Sequence, residues 1–173
     1  MLISLMGYMG SGKSTIGRVL AKKINYKFID LDDYIETSEN QSISEIFKKG
    51  GEIKFRKLER LYLLRILEEE KNTVIALGGG TPVYYDNIDK INEHSFSFYL
   101  RMTPPELFER LVKEKDSRPI IAHIDDTKLT EYIAKHLFER RNYYEKSKFT
   151  IDVKDKSVKQ IVDEIIQDHL LKT

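Results

Sequence analysis

The stretch Gly7-Tyr8-Met9-Gly10-Ser11-Gly12-Lys13-Ser14 follows the pattern G-x-x-x-x-G-K-[ST], and no other segment constrains the fold as strongly. The glycines let backbone N–H groups turn inward around an anion, where a Cβ would intrude. The pattern needs a strand before it and a helix after it, because the helix N-terminus presents partial positive charge to the same anion. Both flanks are present. Leu2-Ile3-Ser4-Leu5-Met6 is a short apolar run of the kind a buried parallel strand requires. Downstream, Ile16, Val19, Leu20 and Ile24 recur at helical spacing. A plain Gly-rich turn would not demand this order. Lys13 is therefore expected to reach the β- and γ-phosphates of a nucleotide, and the Ser14 hydroxyl to ligate Mg²⁺.

The chain has 173 residues, enough for one domain with a sizeable core. Its 29 basic and 28 acidic residues leave a net charge of +1, and no long run of one sign occurs. That removes the main electrostatic reason to expect a nucleic-acid or membrane partner. There are no cysteines, which excludes disulfides, thiol chemistry and Cys-based zinc sites. A strand starting at residue 2, and no apolar run near the roughly 18 residues of a membrane span, set the expectation of a soluble cytoplasmic protein without a signal peptide.

Strand-like and helix-like segments alternate along the chain. Strands are expected at Leu2–Met6, Tyr26–Asp30, Thr73–Leu77, Ser97–Leu100 and Phe149–Val153. A helical stretch follows the second strand through Phe47 and breaks at Lys49-Gly50-Gly51. Further helices are expected near Glu52 to Glu70, Asn87 to Glu93, from Pro104 onward, Thr127 to Lys146, and over the final apolar face of Val158, Ile161, Val162, Ile165, Ile166 and Leu170. Residues 113–126 are polar and charged and are expected to form a loop. The alternation implies a mostly parallel sheet covered on both faces, in one unit spanning residues 1–173.

Ligands bind at the carboxyl ends of strands in such a sheet. Three polar or Gly-rich motifs follow the first three strands: the phosphate loop, Asp30-Leu31-Asp32-Asp33, and Gly78-Gly79-Gly80. They are expected to meet in one crevice. If extended backbone continues through Leu31, Asp30 and Asp32 share a face, and one carboxylate can support Mg²⁺ while the other binds an acceptor hydroxyl. The competing reading is that these aspartates cap the next helix. Arg140 falls on one helical face with Ile133, Leu137 and Tyr144, so it needs an anion, either a ligand or an internal carboxylate such as Glu59 or Asp32. Arg56 is a second such cation or a solvated surface arginine. Arg118, before Pro119, is either a lid residue reaching the phosphates or surface charge. The four histidines share no metal-site spacing.

Taken together these motifs resemble the shikimate kinase family. The resemblance spans nearly the whole chain, from Leu2 to the last helix. It rests on Gly7-x-x-Gly10-x-Gly12-Lys13-Ser14-Thr15, Asp30-Leu31-Asp32, Gly51-Glu52-x-x-Phe55-Arg56-x-x-Glu59, Gly78-Gly79-Gly80, Arg118-Pro119, and Glu139-Arg140 with Tyr144. It implies a P-loop NTPase-type three-layer α/β sandwich with a five-stranded parallel sheet, similar to nucleoside monophosphate kinases. It also implies a substrate-binding region near residues 32–60 and a lid near 112–125. The implied activity is transfer of phosphate from ATP, with Mg²⁺, to the 3-hydroxyl of shikimate, by a monomer. Gly10, Ser11, Gly12, Lys13, Ser14 and Thr15 would hold ATP phosphates, with Arg110 near the adenine and Arg118 closing from the lid. Ser14 and Asp30 would serve Mg²⁺. Asp32 would hold and orient the shikimate hydroxyls, Arg56 and Arg140 its carboxylate, and Gly79, flanked by Gly78 and Gly80, would add a backbone contact. Phe47, Phe55 and Glu59 would line the substrate region. Where the family commonly has R-x-P-L-Y, this chain reads Arg140-Arg141-Asn142-Tyr143-Tyr144. The rival readings are another small-molecule kinase, such as a gluconate kinase, and a non-catalytic nucleotide-binding module. No N-K-x-D element for guanine is present.

Overall fold

A computed structural model describes residues 1–115 and 119–171, without the side chains of residues 119 and 120. Its centre is β1 (Leu2–Met6), buried at every position. Around it stand β2 (Lys27–Asp30), β3 (Thr73–Ala76), β4 (Phe96–Arg101) and β5 (Phe149–Asp152), in the order β2-β3-β1-β4-β5. Every pairing is parallel. Parallel strands need crossover helices, and those helices cover the faces, so inner strands read as continuous apolar runs. β1 and β3 are buried at every position, Ser4 and Thr73 included, whereas the outer strands β2 and β5 each bury one residue, Ile29 and Ile151.

Helix α1 (Lys13–Lys23) buries Ile16, Gly17, Leu20 and Ala21. Val19, expected on that face, is 41% exposed. Small residues take its place because α1 lies close to the sheet: a Cβ on Gly17 would stand 2.5 Å from the Phe28 ring.

The aspartate motif departs from expectation. Extended backbone stops at Asp30, which caps α2 (Leu31–Glu39) and accepts the Asp32 N–H at 3.2 Å. Asp32 is therefore helical, and the shared-face argument for an extended Asp30-Leu31-Asp32 is incorrect. The cap satisfies an otherwise orphaned first-turn donor, which favours early helix entry.

The helix expected to run through Phe47 is divided at Asn40, which closes α2 in the left-handed conformation (φ 50). Ser42 and Glu45 then form a capping box that opens α3 (Ile43–Glu69). The Gly50-Gly51 break is a kink inside α3, with Gly51 at φ 68 and ψ −174. Next come a short 3-10 turn at Thr81–Val83, α4 (Asn87–His94) and α5 (Pro104–Glu114). The segment 113–126, expected as loop, contains the end of α5 and the short α6 (Pro119–Ala122). α7 (Asp126–Tyr144) and α8 (Val158–Glu164) complete the helices, and α8 leads into a wider-wound turn at Ile165–Leu170. The last helical face buries Ile161, Val162 and Ile165 as expected. Among the described residues, no helix is long and apolar enough to cross a membrane.

Candidate active site

The order β2-β3-β1 sets three strand ends side by side, so the motifs that follow them converge as the sequence implies. A cleft of about 330 Å³ opens there. Gly10, Gly12, Lys13, Ser14 and Thr15 line one wall, Asp30 and Asp32 a second, and Leu77, Gly78 and Gly79 a third. Arg110 and Glu114 of α5 close the nucleotide end.

The phosphate loop is a backbone structure. Gly10 and Gly12 adopt φ 80 and φ 90, which L side chains rarely tolerate, and Gly12 is the residue from which α1 departs. Lys13 Nζ donates to the carbonyls of Gly7 and Tyr8, both at 2.9 Å. Arg110 Nη1 donates to the Gly10 carbonyl at 3.3 Å. The Ser11 side chain does not line the cleft; it is fully buried beneath the loop, and its N–H donates to the Tyr8 carbonyl.

Ser14 Oγ donates to Asp30 Oδ2 at 2.6 Å. A hydroxyl and a carboxylate adjoining a phosphate site suit a hard divalent cation that keeps most of its oxygen ligands from water and phosphate. Asp30 thus takes the helix-capping role weighed from the sequence and also accepts the Ser14 hydroxyl. Among the described residues, no group of three or more His, Asp or Glu is placed to hold a metal ion by itself.

Among the described residues, Asp32 is the carboxylate shifted furthest. Burial, the nearby Asp30 and Glu59 push its pKa up to about 6, against the opposing pull of Lys13 and Arg56. Its Oδ1 is buried without a hydrogen-bond partner among the described residues. A buried acceptor left open in this way is costly unless a ligand completes it.

The three glycines of the β3 turn each face a different charged partner. A Cβ on Gly78 would meet Glu59 Oε1 at 3.1 Å and Asp32 Oδ1 at 3.2 Å. One on Gly79 would lie 3.7 Å from Arg140 Nη1 and 3.6 Å from the phosphate-loop backbone. One on Gly80 would stand 2.7 Å from both terminal nitrogens of Arg56. The bare turn is what lets two guanidinium groups and two carboxylates approach the same few ångströms of backbone.

Arg56 is not a solvated surface arginine. Its side chain is 12% exposed; it donates to Glu59 Oε2 at 2.8 Å and, at 3.3 and 3.4 Å, to Glu52 Oε1. Its guanidinium lies 4.2 Å from the Tyr84 ring centroid. The buried Glu59 also accepts from Thr81 Oγ1 at 2.6 Å.

Arg140 projects inward with Ile133, Leu137 and Tyr144, as helical spacing predicts, while Arg141 is exposed and paired with Glu145 at 2.6 Å. Glu59 is taken by Arg56 and Thr81, and Arg140 hydrogen-bonds Tyr144 while its charge acts on Glu52. Arg118 lies outside the described residues. Sequence reasoning gave no role to Thr81 or Tyr84 here. It also missed the bond from Tyr144 Oη to the Gly79 carbonyl at 2.6 Å. The helical face shared by Arg140 and Tyr144 was the available signal for that last contact.

The site can thus hold a triphosphate, and beside it a small acceptor with both hydroxyl and anionic groups. Comparison with known proteins points the same way. The family model for shikimate kinase matches residues 9–169. A shikimate kinase from Flavobacterium johnsoniae is 43% identical over 165 residues, covering 95% of this chain and 96% of its own. The crystal structure of shikimate kinase from Bacteroides thetaiotaomicron superposes with a TM-score of 0.91 at 36% identity, covering 100% of this chain and 99% of that one. The Acinetobacter baumannii shikimate kinase solved in complex with shikimate gives 0.87 at 28% identity, over 99% and 94%. With motif, sheet order and full-length similarity in agreement, this chain belongs to the shikimate kinase family.

Proposed function

We propose that this protein transfers the γ-phosphoryl group of ATP to the 3-hydroxyl of shikimate, giving shikimate 3-phosphate in the pathway to chorismate and the aromatic amino acids. The observation that carries this reading is the open, buried Asp32 Oδ1, set between the phosphate loop and the pair Arg56 and Arg140. That arrangement suits a ligand with a hydroxyl at one end and a carboxylate at the other. The relatives named above, one of them solved with shikimate, support the choice of acceptor.

In this reading Lys13 leaves the Gly7 and Tyr8 carbonyls for the β- and γ-phosphates, and the loop N–H groups hold the rest. Thr15 and Arg110 border the nucleotide, and Arg118 supplies late charge from a lid within residues 112–125. Ser14 and Asp30 would hold Mg²⁺, which when bound neutralises phosphate charge and fixes the geometry of the transferring group. Asp32 accepts the hydrogen bond of the 3-hydroxyl and keeps it in line with the γ-phosphate. Its pKa of about 6 leaves it ionised at neutral pH, yet basic enough to receive the proton as the new P–O bond forms. Arg56 and Arg140 grip the shikimate carboxylate through planar, fork-like donors. The Gly79 backbone adds a contact, with Gly78 and Gly80 keeping the turn bare. Residues 32–60 form the acceptor-binding region.

A coupled assay with ATP and Mg²⁺ tests the reading. Turnover of shikimate without turnover of gluconate is expected; the reverse result, or ATP binding with no phosphoryl transfer, would overturn it.

A further inference from the structure

Three residues of α7 stand four apart, His136, Arg140 and Tyr144, and so occupy one helical face at successive turns. The outer two are tied into the site by phenol hydrogen bonds. Tyr144 Oη donates to the Gly79 carbonyl at 2.6 Å. Tyr8 Oη meets His136 Nδ1 at 2.8 Å, with the rings edge to face and 5.5 Å between centroids. Arg140 is the rung between these two ties.

The second tie is not explained by phosphate binding. Residue 8 is a free position in the G-x-x-x-x-G-K-[ST] pattern. Here it carries a tyrosine that is 1% exposed, and its hydroxyl reaches 128 residues along the chain for a partner. Burial raises the Tyr8 hydroxyl, which therefore keeps its proton. Burial, with help from the Arg140 guanidinium, lowers His136 to about 4, so the imidazole is neutral. The phenol donates, Nδ1 accepts, and the ring proton is assigned to Nε2. The backbone carbonyl of this same Tyr8 receives Lys13 Nζ.

We propose that the Tyr8–His136 hydrogen bond is a positioning contact that joins the nucleotide loop to α7 and sets Arg140 for the carboxylate of the acceptor. Tyr8 and His136 touch neither substrate. They act through Arg140, by fixing the height and rotation of the helix that presents it. Ordering of the phosphate loop by nucleotide then strengthens acceptor binding, and by linkage the acceptor strengthens nucleotide binding to the same degree. The inference rests on the function proposed above.

The test uses the whole protein and steady-state kinetics with shikimate and ATP. Tyr8→Phe removes one hydroxyl and keeps the ring. It is expected to raise the shikimate KM about fivefold, the factor that matches about 1 kcal/mol for a lost hydrogen bond, while kcat changes less than about twofold. His136→Leu should reproduce that rise. His136→Gln, which retains an acceptor, should restore much of the wild-type KM. The double variant Tyr8→Phe/His136→Leu should be no worse than either single variant. In calorimetry, ADP should tighten shikimate binding in wild type and do so less in Tyr8→Phe. A Tyr8→Phe protein with a lowered Tm and an unchanged shikimate KM would overturn the proposal, as would a fully additive double variant. Should Tyr8→Phe not fold, His136→Gln against His136→Leu decides by the same KM comparison. Wild-type protein without shikimate turnover would overturn both this inference and the function beneath it, whereas normal wild-type turnover with unaltered variants overturns this inference alone.

Discussion

The two halves of the cleft are built by opposite strategies. The nucleotide half is built on one contiguous loop of backbone, closed by Arg110 and Glu114 of α5, and two of its cations have backbone carbonyl partners: Lys13 on Gly7 and Tyr8, Arg110 on Gly10. The acceptor half is made of side chains from α2, α3, the β3 turn and α7. It keeps Asp32 Oδ1 without a partner among the described residues and sets Arg140 beside the Gly79 backbone. A phosphate cradle can be generic because every nucleotide offers the same groups. An acceptor site must discriminate, and buried polar groups that only the right ligand satisfies are how binding energy becomes selectivity.

Breaking the nucleotide half should give the largest effect. Lys13→Ala is expected to lower kcat about 10²- to 10³-fold, because a preorganised charge on the transferring group is lost. Single-turnover phosphoryl transfer measures this, and near-normal turnover would remove Lys13 from the chemistry.

Asp32→Asn sharpens the contrast, because activity and stability should move in opposite directions. kcat is expected to fall about 10²-fold with the loss of the hydroxyl's acceptor. Thermal stability near pH 7.5 should rise by a few degrees. The native pKa of Asp32, about 6, lies above its ordinary 3.8, so the folded state binds this proton more tightly than the unfolded state. The stabilising contribution is therefore complete below about 3.8 and lost as pH climbs to about 6. At pH 7.5 the wild type carries a charge-burial cost on the order of 2 to 3 kcal/mol that the amide avoids. For the same reason wild-type kcat/KM should decline as pH falls below about 6. A pH-independent profile between 5 and 7 would count against Asp32 as the hydroxyl's partner.

Arg140→Ala should raise the shikimate KM about 10- to 100-fold while leaving the ATP KM nearly unaltered. Arg141→Ala should change neither by more than about twofold, since an exposed i,i+4 pair such as Arg141–Glu145 contributes little. The opposite pattern would assign the carboxylate to the wrong arginine. Gly80→Ala should have a smaller effect than Arg140→Ala. Its methyl would press on the Arg56 guanidinium, which Glu59 and Glu52 hold in place. A rise of about threefold in shikimate KM, with about 1 kcal/mol lost from stability in urea titration, is expected.

How much of this could be read from the sequence follows the same division. The nucleotide half is local: strand, loop and helix lie within residues 2–23, and pattern and periodicity identify them without tertiary knowledge. The inward turn of Arg140 was legible because a helical face is also a local property. The backbone path through the aspartates is not legible because strand and cap compete over one residue, and the cap prevails at Asp30. Val19 was misplaced because the distance of α1 from the sheet is set by Gly17 and Phe28, which periodicity does not see. The pairing of Tyr8 with His136 joins residues 128 positions apart and carries no sequence signal of its own, whereas that of Tyr144 with Gly79 leaves only the indirect trace of a helical face shared with Arg140.

The position of β1 has a consequence for how the protein is made. It is the first strand in the chain and the middle strand of the sheet, registered against residues 73–76 on one side and 96–99 on the other. The nucleotide loop therefore leaves the ribosome before β3 and β4, and the scaffold that holds it is complete only after β4 has emerged. Closing those long loops costs entropy before any pairing returns it, which slows folding and leaves β1 for a time as an uncovered apolar edge. A chain cut short before residue 96 would carry every letter of the phosphate motif and no working place to put a phosphate.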